Sequence, residues 1–133
     1  VGGGTDPDLT TVGAWHEVAR VDELPEREVR RTTVGRTELI LWRHPATGTV
    51  TAQEAWCPHA WADLAGARVT DDGCIECPFH GWRFDATGWR IQLFALAGRR
   101  DRLRTYPVRV TGEAVEVWIH PYGKPPPDEA AGA

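Results

Sequence analysis

Two short stretches hold most of this chain's capacity for chemistry. Cys57-x-His59 and Cys77-x-x-His80 each offer a thiol and an imidazole, and residues 60–76 separate them. A pair of sulfide-bridged irons takes four protein ligands. Two thiolates on one iron and two imidazoles on the other is a known way to supply them. Drawing one Cys and one His from each of two loops gives the inner iron both thiolates and the outer iron both imidazoles. Imidazoles are neutral where thiolates are anionic, so this mixed set holds a higher potential than four thiolates. Their second ring nitrogens would face outward, as a route for electrons and protons. The expected cofactor and metal ligands are therefore Cys57, His59, Cys77 and His80, around a [2Fe–2S] cluster, and no residue is expected to be catalytic by itself.

The residues beside these motifs suit such a site. Pro58 and Pro78 each follow a Cys and stiffen its loop. Gly81 follows His80, where the backbone has to turn tightly. Trp56, Trp61, Phe79 and Trp82 are expected to wall the site with low-dielectric side chains.

Competing readings of the other candidate groups are weaker. Cys74-x-x-Cys77 could hold zinc or act as a dithiol switch. In an extended strand, however, residues three apart face opposite sides, so Cys74 reads as a small buried side chain. His44 precedes Pro45 in a hairpin turn and is expected to be solvated, while His16 and His120 read as structural or surface residues. Asp85 opens the turn Asp85–Gly88 and is expected to cap its own backbone. Trp15, Trp42, Trp89 and Trp118 read as packing groups. The run Arg99–Arg104 is basic but interrupted, the pattern of a solvated face, with docking of an acidic electron donor as the alternative.

The elements that must position the two motifs read as strands and turns, with no long amphipathic helix. Strands are expected at Trp15–Arg20, Glu28–Val34, Thr37–Arg43 and Thr49–Gln53, the last two forming a hairpin closed by His44–Gly48. Short strands at Arg68–Thr70 and Cys74–Glu76 flank the turn Asp71–Gly73, and Trp82–Phe84 leads into Asp85–Gly88. Val108–Val110 and Ala114–Ile119 pair across Thr111–Glu113. The class is all-β. Residues 1–13 are expected to be a flexible lead, 14–120 the folded domain, and 121–133 a proline-rich tail or linker that leaves the core.

Composition narrows the classes further. A chain of 133 residues is one domain, long enough to bury about two-thirds of its unfolded surface. A net charge of −4 is contrary to the basic surface of nucleic-acid binders. No apolar run approaches the length of a membrane span, and the first residues show no leader pattern. The chain has no Met, so Val1 is read as lying downstream of a native start. Three Cys do not build a disulfide framework, and a cytoplasmic redox or metal role is the better fit.

The segments Cys57–Leu64 (CPHAWADL) and Cys74–Asp85 (CIECPFHGWRFD) resemble the N-terminal Rieske [2Fe–2S] domain of Rieske non-heme iron oxygenases. The steroid 9α-hydroxylase and cholesterol desaturase branch is the most similar. Tyr106–Val108 and Val117–Pro121 resemble that domain's closing strands, and the likeness runs over about residues 15–127. It implies small antiparallel sheets with a two-loop cluster-binding subdomain. It also implies one-electron transfer from a reductase or ferredoxin to a mononuclear iron. That iron takes a 2-His-1-carboxylate set, which this chain lacks: only His120 follows His80. The alternatives are a stand-alone Rieske-type ferredoxin and, with less support, a redox-sensing module.

The resemblance also bears on potential. Rieske proteins of respiratory complexes carry an extra Cys in each cluster loop and hydroxyl donors beside the cluster. The matching positions here are Ala62 or its neighbours and Phe79, then Trp82 and Phe84, with neither thiol nor hydroxyl. Fewer donors to the reduced state lower the potential. The midpoint is expected at the low end of the range of about −150 to +300 mV. Protein-film voltammetry checks this, and a midpoint well above 0 mV contradicts it.

Overall fold

The strand Thr37–Arg43 explains most of the layout. Its sequence, TELILWR, places four apolar side chains in succession, and Leu39, Ile40, Leu41 and Trp42 are all fully buried. Because successive strand residues face opposite sides, this one strand serves two cores. Leu39 and Leu41 join Ala19, Ala52, Val115 and Val117. Ile40 and Trp42 join Cys57, Cys77, Ile75 and Phe84. Each fully buried aliphatic or aromatic side chain contributes about 1.5–3 kcal/mol before entropy is counted.

The computed structural model describes residues 13–58, 61–79, 81–91 and 102–127. Among them are eleven strands. They are β1 (Ala14–Arg20), β2 (Arg30–Val34), β3 (Thr37–Arg43), β4 (Val50–Glu54), β5 (Arg68–Val69) and β6 (Cys74–Glu76). β7 (Arg83–Asp85), β8 (Arg90–Ile91), β9 (Thr105–Tyr106), β10 (Val108–Thr111) and β11 (Ala114–Ile119) follow. They make three antiparallel sheets, ordered β1-β11-β10, β2-β3-β4-β9 and β5-β6-β7-β8. The all-β expectation and its main hairpins hold. β8 was not expected as a strand, and β9 only through the likeness of Tyr106–Val108 to a closing strand: two residues are too few for an alternating pattern to show, and Pro107 halts β9 at once.

One buried amide joins the second sheet to the third. Gln53 on β4 is fully buried and accepts a hydrogen bond from Trp42 Nε1 at 3.0 Å. It donates through Nε2 to the Asp85 carbonyl at 2.9 Å and to Thr105 Oγ1 at 3.2 Å. A satisfied polar group of this kind fixes one arrangement of the elements it links. Next to it, Gly88 lies at φ +95°, and a Cβ there would come within 2.0 Å of the Leu103 carbonyl oxygen. Its own carbonyl accepts from the Leu103 amide at 2.6 Å. Only glycine allows this approach.

Two expectations need correction or restriction. The tail does not leave the core at Pro121: Pro126 is fully buried, and Trp118 Nε1 donates to the Lys124 carbonyl at 2.7 Å. The indole needs an acceptor as it is buried, and the returning chain supplies one. Residues 1–12, 92–101 and 128–133 lie outside the described residues, with part of the basic run among them. Within that run Leu103 is fully buried, Arg102 lies over the Trp89 ring and Arg104 over that of Tyr106. It is not a uniform solvated face.

Replacing Gln53 with Leu keeps the volume but leaves the buried Trp42 N–H without its acceptor, while the Asp85 carbonyl keeps only its bond from the Gly88 amide. Leaving a buried donor unsatisfied costs about 1–3 kcal/mol, so Gln53→Leu is expected to lower unfolding free energy by about that amount in urea titration. A change within error would mean that the amide does not join the sheets.

Candidate metal centre

The two Cys-His stretches fold into loops of one design. Trp56 pairs with Asp63 across the first, and Glu76 pairs with Arg83 across the second. Residues 57–62 and 77–82 are thus loops of equal length, each opening on its cysteine. The Cys57 amide donates to the Ala62 carbonyl at 2.8 Å, and the Cys57 carbonyl accepts from the Trp61 amide at 2.7 Å. The second loop repeats both bonds: Cys77 N to Trp82 O at 2.7 Å, and Gly81 N to Cys77 O at 3.1 Å.

Position five of each loop is left-handed, Trp61 at φ +55° and Gly81 at φ +71°. The tight turn expected at Gly81 is present, and Trp61 makes the same turn with a bulky side chain.

Local sequence explains why each loop stays put. Asp63 caps a short 3-10 turn, Leu64–Gly66, accepting from the Ala65 amide at 2.9 Å. Its other oxygen takes a hydrogen bond from Arg31 Nη1 at 2.6 Å, tying the first loop to β2. Arg31 also lies 4.9 Å over the Trp56 ring. The second loop is the end of the β6–β7 hairpin. Arg83 on β7 grips both oxygens of Asp72, at 2.6 and 2.7 Å, and so holds the far turn of that sheet. Arg90 stacks 3.3 Å from the centre of the Trp82 ring. Each loop base thus carries a tryptophan under a guanidinium, a contact worth about 0.5–2 kcal/mol.

Cys57 and Cys77 sit in one apolar cluster, 0% and 1% exposed, and neither is in a disulfide. Two thiols brought into the same core by matching loops, neither of them in a disulfide, fit the sulfur half of a two-iron centre. His59 and His80 lie outside the described residues. Cys74 is separated from this pair. It is buried on β6 opposite Asp85, its amide donates to Thr70 Oγ1 at 3.1 Å, and burial pushes its thiol up.

The aromatic wall is only half as expected. Trp56 and Trp82 are half-buried against the cysteine cluster. Trp61 and Phe79 are instead 71% and 70% exposed, because the positions they occupy are loop tips rather than bases. What sequence reasoning missed was the equivalence of Trp61 to Gly81. Counting four residues on from each cysteine would have exposed it.

The other assignments fall as their local chemistry demands. Asp85 Oδ1 accepts from the Thr87 and Trp89 amides at 2.9 and 3.1 Å, which is the turn cap expected of it. His44 is half-buried rather than solvated. Its Nδ1 accepts from the Ala46 amide at 3.0 Å, and its ring fills the space where Gly73 has no side chain. His120 Nδ1 accepts from the Tyr122 amide at 3.0 Å. Trp15 packs edge-on against Trp118 at 5.6 Å.

Residues 57–62 and 77–82 contain no serine, threonine or tyrosine. The chain contains no serine, and its two tyrosines are Tyr106 on β9 and Tyr122 beyond β11. Tyr106 packs against the other core. The four loop amides named above are spent on the loops' own carbonyls.

Known proteins share this fold. The family model for the Rieske [2Fe-2S] domain matches residues 14–107. Cholesterol 7-desaturase nvd 1 of Ciona intestinalis is 30% identical over 84% of this chain, which spans 24% of that protein. The structure of dicamba monooxygenase bound to dicamba superposes with a TM-score of 0.74 at 27% identity, over 85% of this chain and 36% of that one. The ferredoxin of carbazole 1,9a-dioxygenase from Nocardioides aromaticivorans IC177 gives 0.66 at 29% identity, over 78% of this chain and 96% of its own. This chain therefore spans about a quarter to a third of the oxygenase-type relatives and nearly all of the ferredoxin. On these grounds the chain belongs to the Rieske [2Fe-2S] domain family, and its cofactor is a Rieske-type [2Fe–2S] cluster.

Proposed function

We propose that this chain is the Rieske domain of a non-heme iron oxygenase. It takes single electrons from a reductase or ferredoxin and hands them to a mononuclear iron site that the chain does not itself carry. Cys57 and Cys77 are the thiolate ligands in this reading, and His59 and His80 the imidazole ligands. The bound cluster supplies a one-electron couple at a potential set by its ligands and donors. The chain's own residues do the rest. The paired amide bonds fix both cysteines, Ile40, Trp42 and Phe84 keep water from the sulfur side, and Trp56 and Trp82 cover the loop bases.

The observation that carries this reading is the wider overlap with the oxygenase structure. It covers 85% of the chain against 78% for the ferredoxin, with the higher TM-score. The near-complete match to the ferredoxin's own length favours the second reading, a stand-alone shuttle between a reductase and a separate oxygenase. Both readings need a protein donor and a protein acceptor. Among the described residues no helix is long and apolar enough to cross a membrane. Three cysteines without a disulfide suit a reducing compartment, and the cytoplasm is the proposed location.

Two sets of measurements test the proposal. Cys57→Ser and Cys77→Ser are each expected to purify with little iron and none of the visible absorption of the parent. Cys74→Ala is expected to keep both, and loss of iron from Cys74→Ala alone would overturn the ligand assignment. In anaerobic stopped flow, NADH with a flavin-dependent reductase is expected to reduce the chain. Reduced protein is then expected to be reoxidised by a mononuclear-iron oxygenase domain. Turnover of an organic substrate with O₂ by this chain unaided would contradict the proposal.

A further inference from the structure

We propose that Trp61 is the residue by which this domain recognises the protein that delivers its electrons. The inference rests on the electron-transfer reading above. Trp61 is the only non-glycine residue at positive φ among the described residues. Its counterpart in the second loop, with the same hydrogen bond back to a cysteine carbonyl, is Gly81. A glycine meets this backbone demand freely, whereas a tryptophan is strained there. Strain of this kind persists where the surroundings hold it and the side chain has a use.

Packing does not account for the indole. It is 71% exposed, and the apolar cluster around Cys57 is completed without it by Ala62, Leu64 and Trp56. The same tip region of the second loop carries Phe79, also 70% exposed. Two large aromatic side chains on the tips of the two matching loops are what an interface anchor looks like before its partner arrives.

The occupant follows from access. On the sulfur side Cys57 and Cys77 are sealed by the core, so an electron-transfer protein cannot approach there. The loop tips remain, and Trp61 and Phe79 stand on them. Delivery by a separate donor protein is the step that the oxygenase and ferredoxin readings share. The donor surface that fits is an apolar cleft able to take an indole. Trp61 does not touch the redox centre in this account; it sets which donor binds and how tightly.

The test compares the wild type with Trp61→Gly and Trp61→Asn, using NADH and the flavin-dependent reductase that reduces the wild type. Glycine relieves the backbone, and asparagine tolerates the left-handed region while removing the indole. Both variants are expected to raise the half-saturating concentration for reductase-driven reduction about tenfold or more. The limiting rate, the rate of reduction by dithionite and the iron content should stay as in the wild type. The melting temperature of Trp61→Gly is expected to be no lower than that of the parent. An unchanged half-saturating concentration in both variants overturns the proposal. So does a loss in dithionite reduction or iron content that matches the loss with the reductase, because that marks a structural role. If no flavin reductase reduces the wild type at all, the electron-transfer reading itself falls. If the wild type is reduced and the variants equal it, only the role of Trp61 falls.

Discussion

A cysteine amide donating to the carbonyl five residues ahead, while the cysteine's own carbonyl takes the amide four residues ahead, occurs twice in this chain. These four backbone bonds fix the direction of two thiols before any metal is considered. They also consume amides that might otherwise point at sulfur. Hydrogen bonds to the sulfurs are among the strongest controls on the potential of such a centre. A chain without serine, four of whose loop amides are committed to the loops' own carbonyls, has fewer donors with which to stabilise an added electron.

The remainder of the fold keeps those two loops facing one core. β3 does this by being apolar on both faces, so that a single strand supports the cysteine cluster on one side and the β1-β11-β10 sheet on the other. Gln53 then links β4 to the end of β7 through the Asp85 carbonyl, a join that apolar contact alone would leave free to slide. Asp63 and Arg31 do for the first loop what the β6–β7 hairpin does for the second. Both loops are therefore braced from outside their own sequence. That suits a redox site, because a rigid frame reorganises little when charge changes.

Much of this was legible in the residues. Motif spacing gave the proposed ligand set and the two-loop plan, and alternation with turn residues gave β1 to β7, β10 and β11 to within about two residues. Asp85 could be assigned because its turn chemistry is local. What was not legible depended on distant partners. β9 exists only because β4, remote in sequence, offers it an edge, and β8 is a two-residue return onto β7, too short to show a pattern. Pro126 reads as linker until Trp118 is known to need an acceptor and Lys124 to supply one. Trp61 reads as another wall aromatic until the backbone shows its φ. His59 and His80 are proposed from the motif alone, and they lie outside the described residues.

The central claim is that one sulfur and one nitrogen from each loop hold the two irons. Pulsed electron spin echo spectroscopy of the reduced, anaerobically prepared protein measures this directly, since an unpaired electron couples only to nitrogens bound close to it. The account predicts strong couplings to two distinct imidazole nitrogens, both lost from a sample whose histidines carry ¹⁵N and replaced there by the ¹⁵N pattern. A spectrum with only the weak couplings of backbone amides, as an all-thiolate cluster gives, would contradict it.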